Sequence, residues 1–171
     1  YVSPQFQLKL FEEIEFHGKK LSLKLYGARA LMSLRLEKNW GVWTLDFRPD
    51  FTAAESGLDI FINWNKDFVG KEACLIEKKQ GIKKKLVTMT IDTKDIDVTN
   101  DEAIIKDNKC VGYITSGGYA HHVKKSMALG YVPTELSKHD STLEVEINGK
   151  LYTAHVKEKP LYDANGGKMR S

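Results

Sequence analysis

Apolar residues recur at helical spacing over the first eighty or so positions and at alternate positions over the remainder. Phe6, Leu10 and Ile14 repeat every four residues behind Ser3-Pro4, a hydroxyl cap followed by a proline suited to the first helical position, and Gly18 marks a stop. A second helix is predicted over roughly 27–37, "GARALMSLRLE". At about 100° per residue, Ala28, Leu31, Met32 and Leu36 fall on one side of it and Arg35 points into that apolar stripe, while Glu37 and Lys38 project into water. The stretch 39–64 reads as loop with short extended pieces and closes on an apolar run at 58–64. Asp67 is placed to cap a third helix through "VGKEACLIEKKQ", broken at Gly81.

From 84 onward the period is two. Val87, Met89 and Ile91 alternate with Thr88 and Thr90, the pattern of a half-buried strand. "AIIKDNKCVGYIT" places two apolar runs around an Asp107-Asn108 turn, and "SMALGYVP" is a further strand ended by proline. "TLEVEINGKLYTAHV" alternates on both sides of Asn148-Gly149, a strong hairpin signal. The fold class that follows is α+β: a helical and extended N-terminal part packed on a C-terminal antiparallel β-barrel of roughly five or six strands. The expected division is 1–83 and 84–171.

Arg35 is the first candidate for chemistry. A guanidinium on an inward face needs an anion, because desolvating an unpaired charge costs several kcal/mol. That anion is either the protein's own, with Glu55 or Asp59 as candidates, or the carboxylate or polar ring edge of a ligand held in a cavity between the second helix and the barrel loops. Arg29 sits at the edge of the same stripe, nearer a cavity rim. The second candidate is "TSGGYAHHVKKSMALGYVP", where Gly117-Gly118 permits unusual backbone or a close approach. Tyr119, His121 and His122 follow on what reads as a loop. Adjacent histidines point apart and lack a third ligand at metal spacing, so the expectation is no metal site.

Composition adds mainly exclusions. The 171 residues carry 26 basic and 23 acidic side chains, a net charge of +3, which sets up no field pointing to nucleic acid or anionic lipid. The basic run "KKQGIKKK" at 78–85 reads as a helix end and a wetted loop. Cys74 and Cys110 fit free thiols in a reducing compartment. No apolar run approaches the roughly 18–20 residues that cross a bilayer, so no membrane partner is expected. No signal peptide is read in the N-terminal stretch, and the start at Tyr1 suggests a piece of something longer. Nucleotide-binding, P-loop, serine-hydrolase and zinc-protease motifs do not occur.

The blocks "SLRLEK", "AAESGL", "DFVGKEACL", "VGYITSGG" and "KKSMALGYVP", in this order and spacing, resemble the aminomethyltransferase family. That family includes the glycine-cleavage T-protein and the folate domains of dimethylglycine and sarcosine dehydrogenases. "RALMSLRLEK", "GGYAHHVKKS" and "PLYDANGGKMR" are more similar to the dehydrogenase branch. "FVGKEA" departs from the cysteine-containing motif of the related folate-binding iron–sulfur assembly protein.

The resemblance implies tetrahydrofolate as cofactor, accepting a one-carbon unit to give 5,10-methylenetetrahydrofolate. FAD is implied only in an upstream flavin domain. The implied partners are that domain, or the N-terminal half of the folate domain, and the implied location is the cytoplasm, or the mitochondrial matrix in a eukaryote. The family's key acidic residue lies in the N-terminal half, outside this sequence, so no catalytic residue is assigned here and the chain alone is expected to be inactive. The family's folate-contacting arginine falls at Leu31 and a pocket tryptophan at Ile60. The folate-facing residues implied are therefore the displaced Arg29, together with Arg35, Glu55, Tyr119 and His121.

Overall fold

The computed structural model describes residues 1–170. By compactness the chain divides into two units, Tyr1–Leu31 and the remainder from Met32. In the first unit a single 3-10 turn at Pro4–Phe6 leads into α1, Gln7–Gly18. Phe6, Leu10 and Ile14 are all exposed there. Gly18 does not stop the helix by turning left-handed. Its backbone is right-handed and runs on into a 3-10 turn at Lys19–Leu21, and Ser22 takes the left-handed conformation, φ 57°. Gly18 is needed instead for space: a Cβ there would stand 2.8 Å from that of Leu23.

α2 covers Ala28–Glu37, and only its last turn is buried, with Arg35, Leu36 and Glu37 under cover while Ala28 and Leu31 stay exposed. The predicted stripe is thus replaced by a helix that plunges end-first. α3 covers Lys71–Gln80. Its N-cap is Gly70, φ 90°, not Asp67, whose carboxylate makes an exposed contact with Lys71 at 3.8 Å.

Six antiparallel strands follow: β1 Lys84–Ile91, β2 Ala103–Lys106, β3 Lys109–Ala120, β4 Lys125–Pro133, β5 Thr142–Ile147 and β6 Lys150–Lys157. They close in the order β1-β4-β3-β2-β5-β6. Both predicted hairpins are present, with Asp107 (φ 50°) and Asn108 (φ 59°), and Asn148 (φ 49°) and Gly149 (φ 75°), in the paired left-handed conformation that such two-residue turns require. Val87, Met89 and Ile91 join Ile104, Ile114, Val132, Leu143, Val145 and Val156 in the barrel interior.

β1 is not half-buried as its alternation suggested. Thr88 and Thr90, on the outer face, are also buried, as are Met127, Leu129 and Tyr131 of β4. The segment from Arg35 to Leu58 lies along the outside of these strands. Its hydrogen bonds run from Asn39 to Thr88, Asp46 to Thr115 and Ser56 to Tyr131. The barrel therefore has a sealed wall at β1, β4 and β3, while Leu151 on β6 faces solvent. Among the described residues no helix is long and apolar enough to cross a membrane.

Inside the barrel, a Cβ on Gly130 would lie 2.7 Å from the Tyr113 carbonyl oxygen and 2.9 Å from Ile104. Gly130→Ala is expected to cost about 1–3 kcal/mol through overpacking, read as a lower urea midpoint with unchanged slope.

Candidate functional site

Arg35 is inward, as its helical phase requires, and its partner is neither Glu55 nor Asp59 but Asp46. The guanidinium Nη1 stands 2.9 Å from Asp46 Oδ2 and also donates to the Trp40 carbonyl at 3.2 Å. Nη2 donates to Ser116 Oγ at 2.8 Å, and Nε lies 3.3 Å from Met32 Sδ. Arg35 retains 6% exposure and Asp46 none. Asp46 is fully engaged on its own side: Oδ2 accepts the Val42 N–H at 2.8 Å and Oδ1 accepts the Thr115 hydroxyl. Its main-chain carbonyl accepts the Tyr131 hydroxyl at 2.8 Å. Burial lowers the Arg35 pKa from its ordinary value, and Asp46 pushes back against that shift.

Strand β3 supplies two adjacent hydroxyls to this pair, which regular pleating forbids, since neighbouring side chains point to opposite faces. A bulge resolves it. Ile114 pairs with Gly130 and Ser116 with Leu129, leaving Thr115 as the extra residue. Thr115 and Ser116 thereby both reach the outer face, one to each member of the ion pair. Two residues on, a Cβ at Gly117 would meet the carbonyl oxygens of Val98 (2.6 Å) and Thr99 (2.8 Å), so Gly117 serves a close backbone approach.

The remaining candidates fall in different places. Glu55 is partly buried and committed to backbone: Oε1 accepts the Lys84 N–H at 3.1 Å and Oε2 the Thr52 N–H at 3.2 Å, fixing the start of β1. Tyr119 lies in β3 and not in a loop, and His121 begins the turn after it. Both are exposed, their rings meeting edge to face at 5.1 Å, and Ser33 Oγ donates to the Tyr119 carbonyl at 2.6 Å. Arg29 is exposed in the N-terminal unit.

Glu37 is the residue the sequence misplaced. Its side chain keeps 1% exposure and accepts the His122 backbone N–H at 2.6 Å, while His122 Nδ1 lies 2.9 Å from its other oxygen. The His122 ring packs on Tyr162 at 4.7 Å. Lys38 reaches the Asp163 carbonyl oxygen at 2.6 Å. These bonds tie the end of α2 to the turn after β3 and to the C-terminal segment. Clefts open along the outer segment instead. One of about 340 Å³ involves Trp64, Cys74 and Lys78, and one of about 510 Å³ lies between residues 39–61 and β1. Among the described residues no group of three or more His, Cys, Asp or Glu is placed to hold a metal ion.

A barrel of this topology, with residues 35–58 hydrogen-bonded along its wall, matches known proteins. The glycine cleavage T-protein C-terminal barrel domain model matches residues 84–163, and the GCVT N-terminal domain model matches 1–66. The chain belongs to the aminomethyltransferase (glycine-cleavage T-protein) family. It is 40% identical over 154 residues to rat mitochondrial dimethylglycine dehydrogenase, covering 89% of this chain and 18% of that protein. It is 31% identical over 167 residues to an aminomethyltransferase of Desulfitobacterium hafniense, covering 97% of this chain and 46% of that one. The glycine cleavage system aminomethyltransferase T of Bartonella henselae superposes with a TM-score of 0.75 over 82% of this chain and 40% of its own, at 24% identity. The chain thus spans less than half the length of each of these relatives.

Asp46→Ala strands a buried guanidinium and is expected to cost about 3–5 kcal/mol. The double change Arg35→Met/Asp46→Ala is expected to lose less than the sum of the two single changes. Additive losses in urea denaturation would contradict the pairing.

Proposed function

We propose that the chain is the C-terminal part of a tetrahydrofolate-dependent aminomethyltransferase-like domain. Its parent accepts a one-carbon unit from N-methyl amine oxidation, as in dimethylglycine or sarcosine dehydrogenase-like proteins. The observation that carries this reading is a division of labour among side chains. The carboxylates of Glu37, Asp46 and Glu55 are all committed to partners within the protein. The Tyr119–His121 ring pair is exposed, and Ser33 donates to the Tyr119 main-chain carbonyl beneath it. This chain accordingly offers a planar aromatic surface and a ring nitrogen, which suit a pterin or its aryl linker, but no free acid among those three.

Tetrahydrofolate supplies the nitrogens that receive the one-carbon unit. The chain's own residues orient it and exclude water, an effect that operates through position. Tyr119 and His121 are the proposed contacts. Arg35 and Glu55 act beneath the surface as supports, and Arg29 is carried as a folate contact by the family resemblance alone.

The acidic contact then comes from polypeptide outside this sequence, and the chain by itself is inactive. Its partners are that polypeptide or a flavin domain. The dehydrogenase branch is favoured by the 40% identity to the rat protein, against 31% for the aminomethyltransferase. A glycine-cleavage T-protein fragment is the alternative within the family, and a non-catalytic barrel module the alternative outside it. In a eukaryotic host the reading places it in the mitochondrial matrix, otherwise in the cytoplasm.

A protein in which this sequence is joined to the rest of its folate domain is expected to bind tetrahydrofolate saturably in calorimetry. Tyr119→Ala is expected to weaken that binding by about 3–10-fold, the worth of one aromatic contact. Residues 1–171 alone are expected to form no 5,10-methylenetetrahydrofolate. Absence of saturable binding in the complete domain refutes the assignment.

A further inference from the structure

We infer that Glu37 and His122 form a proton-accepting dyad, in which a buried carboxylate orients an exposed imidazole and leaves its Nε2 open to the proton of an N–H group. The inference rests on the proposed function for the source of that proton, a tetrahydrofolate nitrogen, and on the following geometry for the dyad itself.

Glu37 is a buried carboxylate for which the proposed function has no other use. Its side chain keeps 1% exposure, and among the described residues its one ion-pair partner is His122. One oxygen accepts the His122 backbone N–H at 2.6 Å, and the other stands 2.9 Å from Nδ1. A carboxylate presents acceptors only, so Nδ1 carries the hydrogen in that contact. A neutral imidazole has a single N–H, which leaves the lone pair on Nε2. The His122 side chain is 51% exposed, and its Nε2 has no hydrogen-bond partner among the described residues. His17, His139 and His155 differ on both counts: each meets its carboxylate through Nε2, and that carboxylate is itself in solvent.

The imidazole is also fixed in place. It packs on Tyr162 with ring centroids 4.7 Å apart, and the Tyr162 N–H donates to the Glu37 carbonyl at 3.2 Å. The ring that backs the imidazole is thus tied to the residue that orients it. The turn carrying His122 is closed by the Lys124 N–H on the Ala120 carbonyl at 2.7 Å. Helix α2 grips this stretch at two points. Ser33 donates to the Tyr119 carbonyl, and Glu37, four residues on and so on the same helix face, takes the His122 N–H. A base held at one ring nitrogen by a carboxylate, with the other nitrogen facing outward, is the arrangement of proton-transfer sites.

Moving a one-carbon unit onto nitrogen calls for such a group. A nitrogen that gains a bond to carbon gives up its hydrogen. His122 Nε2 takes that proton, and the electron pair of the N–H bond stays with the nitrogen. The carbon's bond to the departing amine breaks with its electrons going to the amine nitrogen, which receives the proton back from the imidazolium. When the carbon arrives as formaldehyde, oxygen departs in the same way, as water. Nothing is oxidised or reduced. The stretch that offers Tyr119 and His121 as contacts therefore also offers the proton acceptor.

The test uses the complete folate domain containing this sequence, with nitrogen-15 in its histidines. Glu37→Gln keeps an oxygen for the His122 backbone N–H but turns an amide NH2 toward Nδ1, which moves the ring hydrogen to Nε2. His122→Gln keeps a donor toward Glu37 and supplies no base. In the neutral ring, hydrogen–nitrogen correlation spectra are expected to place the hydrogen on Nδ1 in the unchanged protein and on Nε2 in Glu37→Gln, with unchanged far-ultraviolet circular dichroism. Formation of 5,10-methylenetetrahydrofolate is expected to fall roughly 100-fold in kcat for both variants, with KM for tetrahydrofolate little changed. His139→Gln, at an exposed histidine beside an exposed carboxylate, is expected to leave both constants as they are. Hydrogen on Nε2 in the unchanged protein overturns the inference. Saturable tetrahydrofolate binding with full turnover in both variants overturns it alone, whereas absence of that binding in the unchanged domain removes the folate reading and the proton's source with it.

Discussion

A guanidinium taken out of water needs its charge and its N–H groups matched, and Arg35 obtains both from distant stretches of the chain. Asp46 supplies the charge, and the Trp40 carbonyl and the Ser116 hydroxyl take further donors. Asp46 in turn draws in the Val42 amide, the Thr115 hydroxyl and, through its carbonyl, Tyr131 on β4. The end of α2, the loop after it and two barrel strands can satisfy these groups together in one relative placement. A buried pair of this kind adds little net stability compared with apolar residues of similar volume, but it is unforgiving of misalignment. Here its consequence is positional: residues 40–58 cannot drift from the barrel wall without exposing a bare charge to an apolar layer.

That constraint explains how the barrel can be buried on both sides of β1 and β4 while carrying threonines where alternation predicts solvent. The outer residues form a second, mixed layer against the covering segment, with Thr88, Thr115 and Ser116 beside Met127, Leu129 and Tyr131, distinct from the aliphatic interior of Val87, Met89, Ile91 and their neighbours. Phe51 stacks on Tyr131 with centroids 3.5 Å apart, and the Tyr131 hydroxyl also pairs with Ser56 at 2.7 Å, so the aromatic and hydrogen-bonded parts of this layer share a residue. The covering segment consequently has one face fixed by the barrel. Its other face carries exposed aromatic side chains, Trp40 and Trp43 among them.

Local chemistry was legible in the sequence and non-local pairing was not. The Asn148-Gly149 and Asp107-Asn108 turns, the period-two pattern of five or six strands and the inward phase of Arg35 each follow from a few adjacent residues, and each is present. The identity of the anion depended on a bulge at Thr115, which redirects two hydroxyls and has no signature in alternation. Asp46 stands in a stretch with no period at all, so nothing local marked it above Glu55 or Asp59. Glu37 was assigned to solvent by helical phase, which assumes a helix lying side-on to its core. α2 instead buries its end, where residues on every side of the helix are covered. α1 does end at Gly18, although the left-handed turn comes only at Ser22, and the cap expected of Asp67 is taken by Gly70.

The run from Arg35 to Asn39 shows why a motif shared across a family need not touch its ligand. Arg35 binds Asp46 and Ser116, and the Leu36 side chain lies 3.6 Å from where a Cβ on Gly118 would stand. Glu37 holds His122, Lys38 holds Asp163, and Asn39 bonds Thr88. Five consecutive side chains thus reach β3, the turn after it, the C-terminal segment and β1. A stretch with that many separate obligations tolerates little substitution on packing grounds alone. "SLRLEK" therefore speaks for the architecture that joins the end of α2 to the barrel wall, since its side chains are spent on partners within the protein.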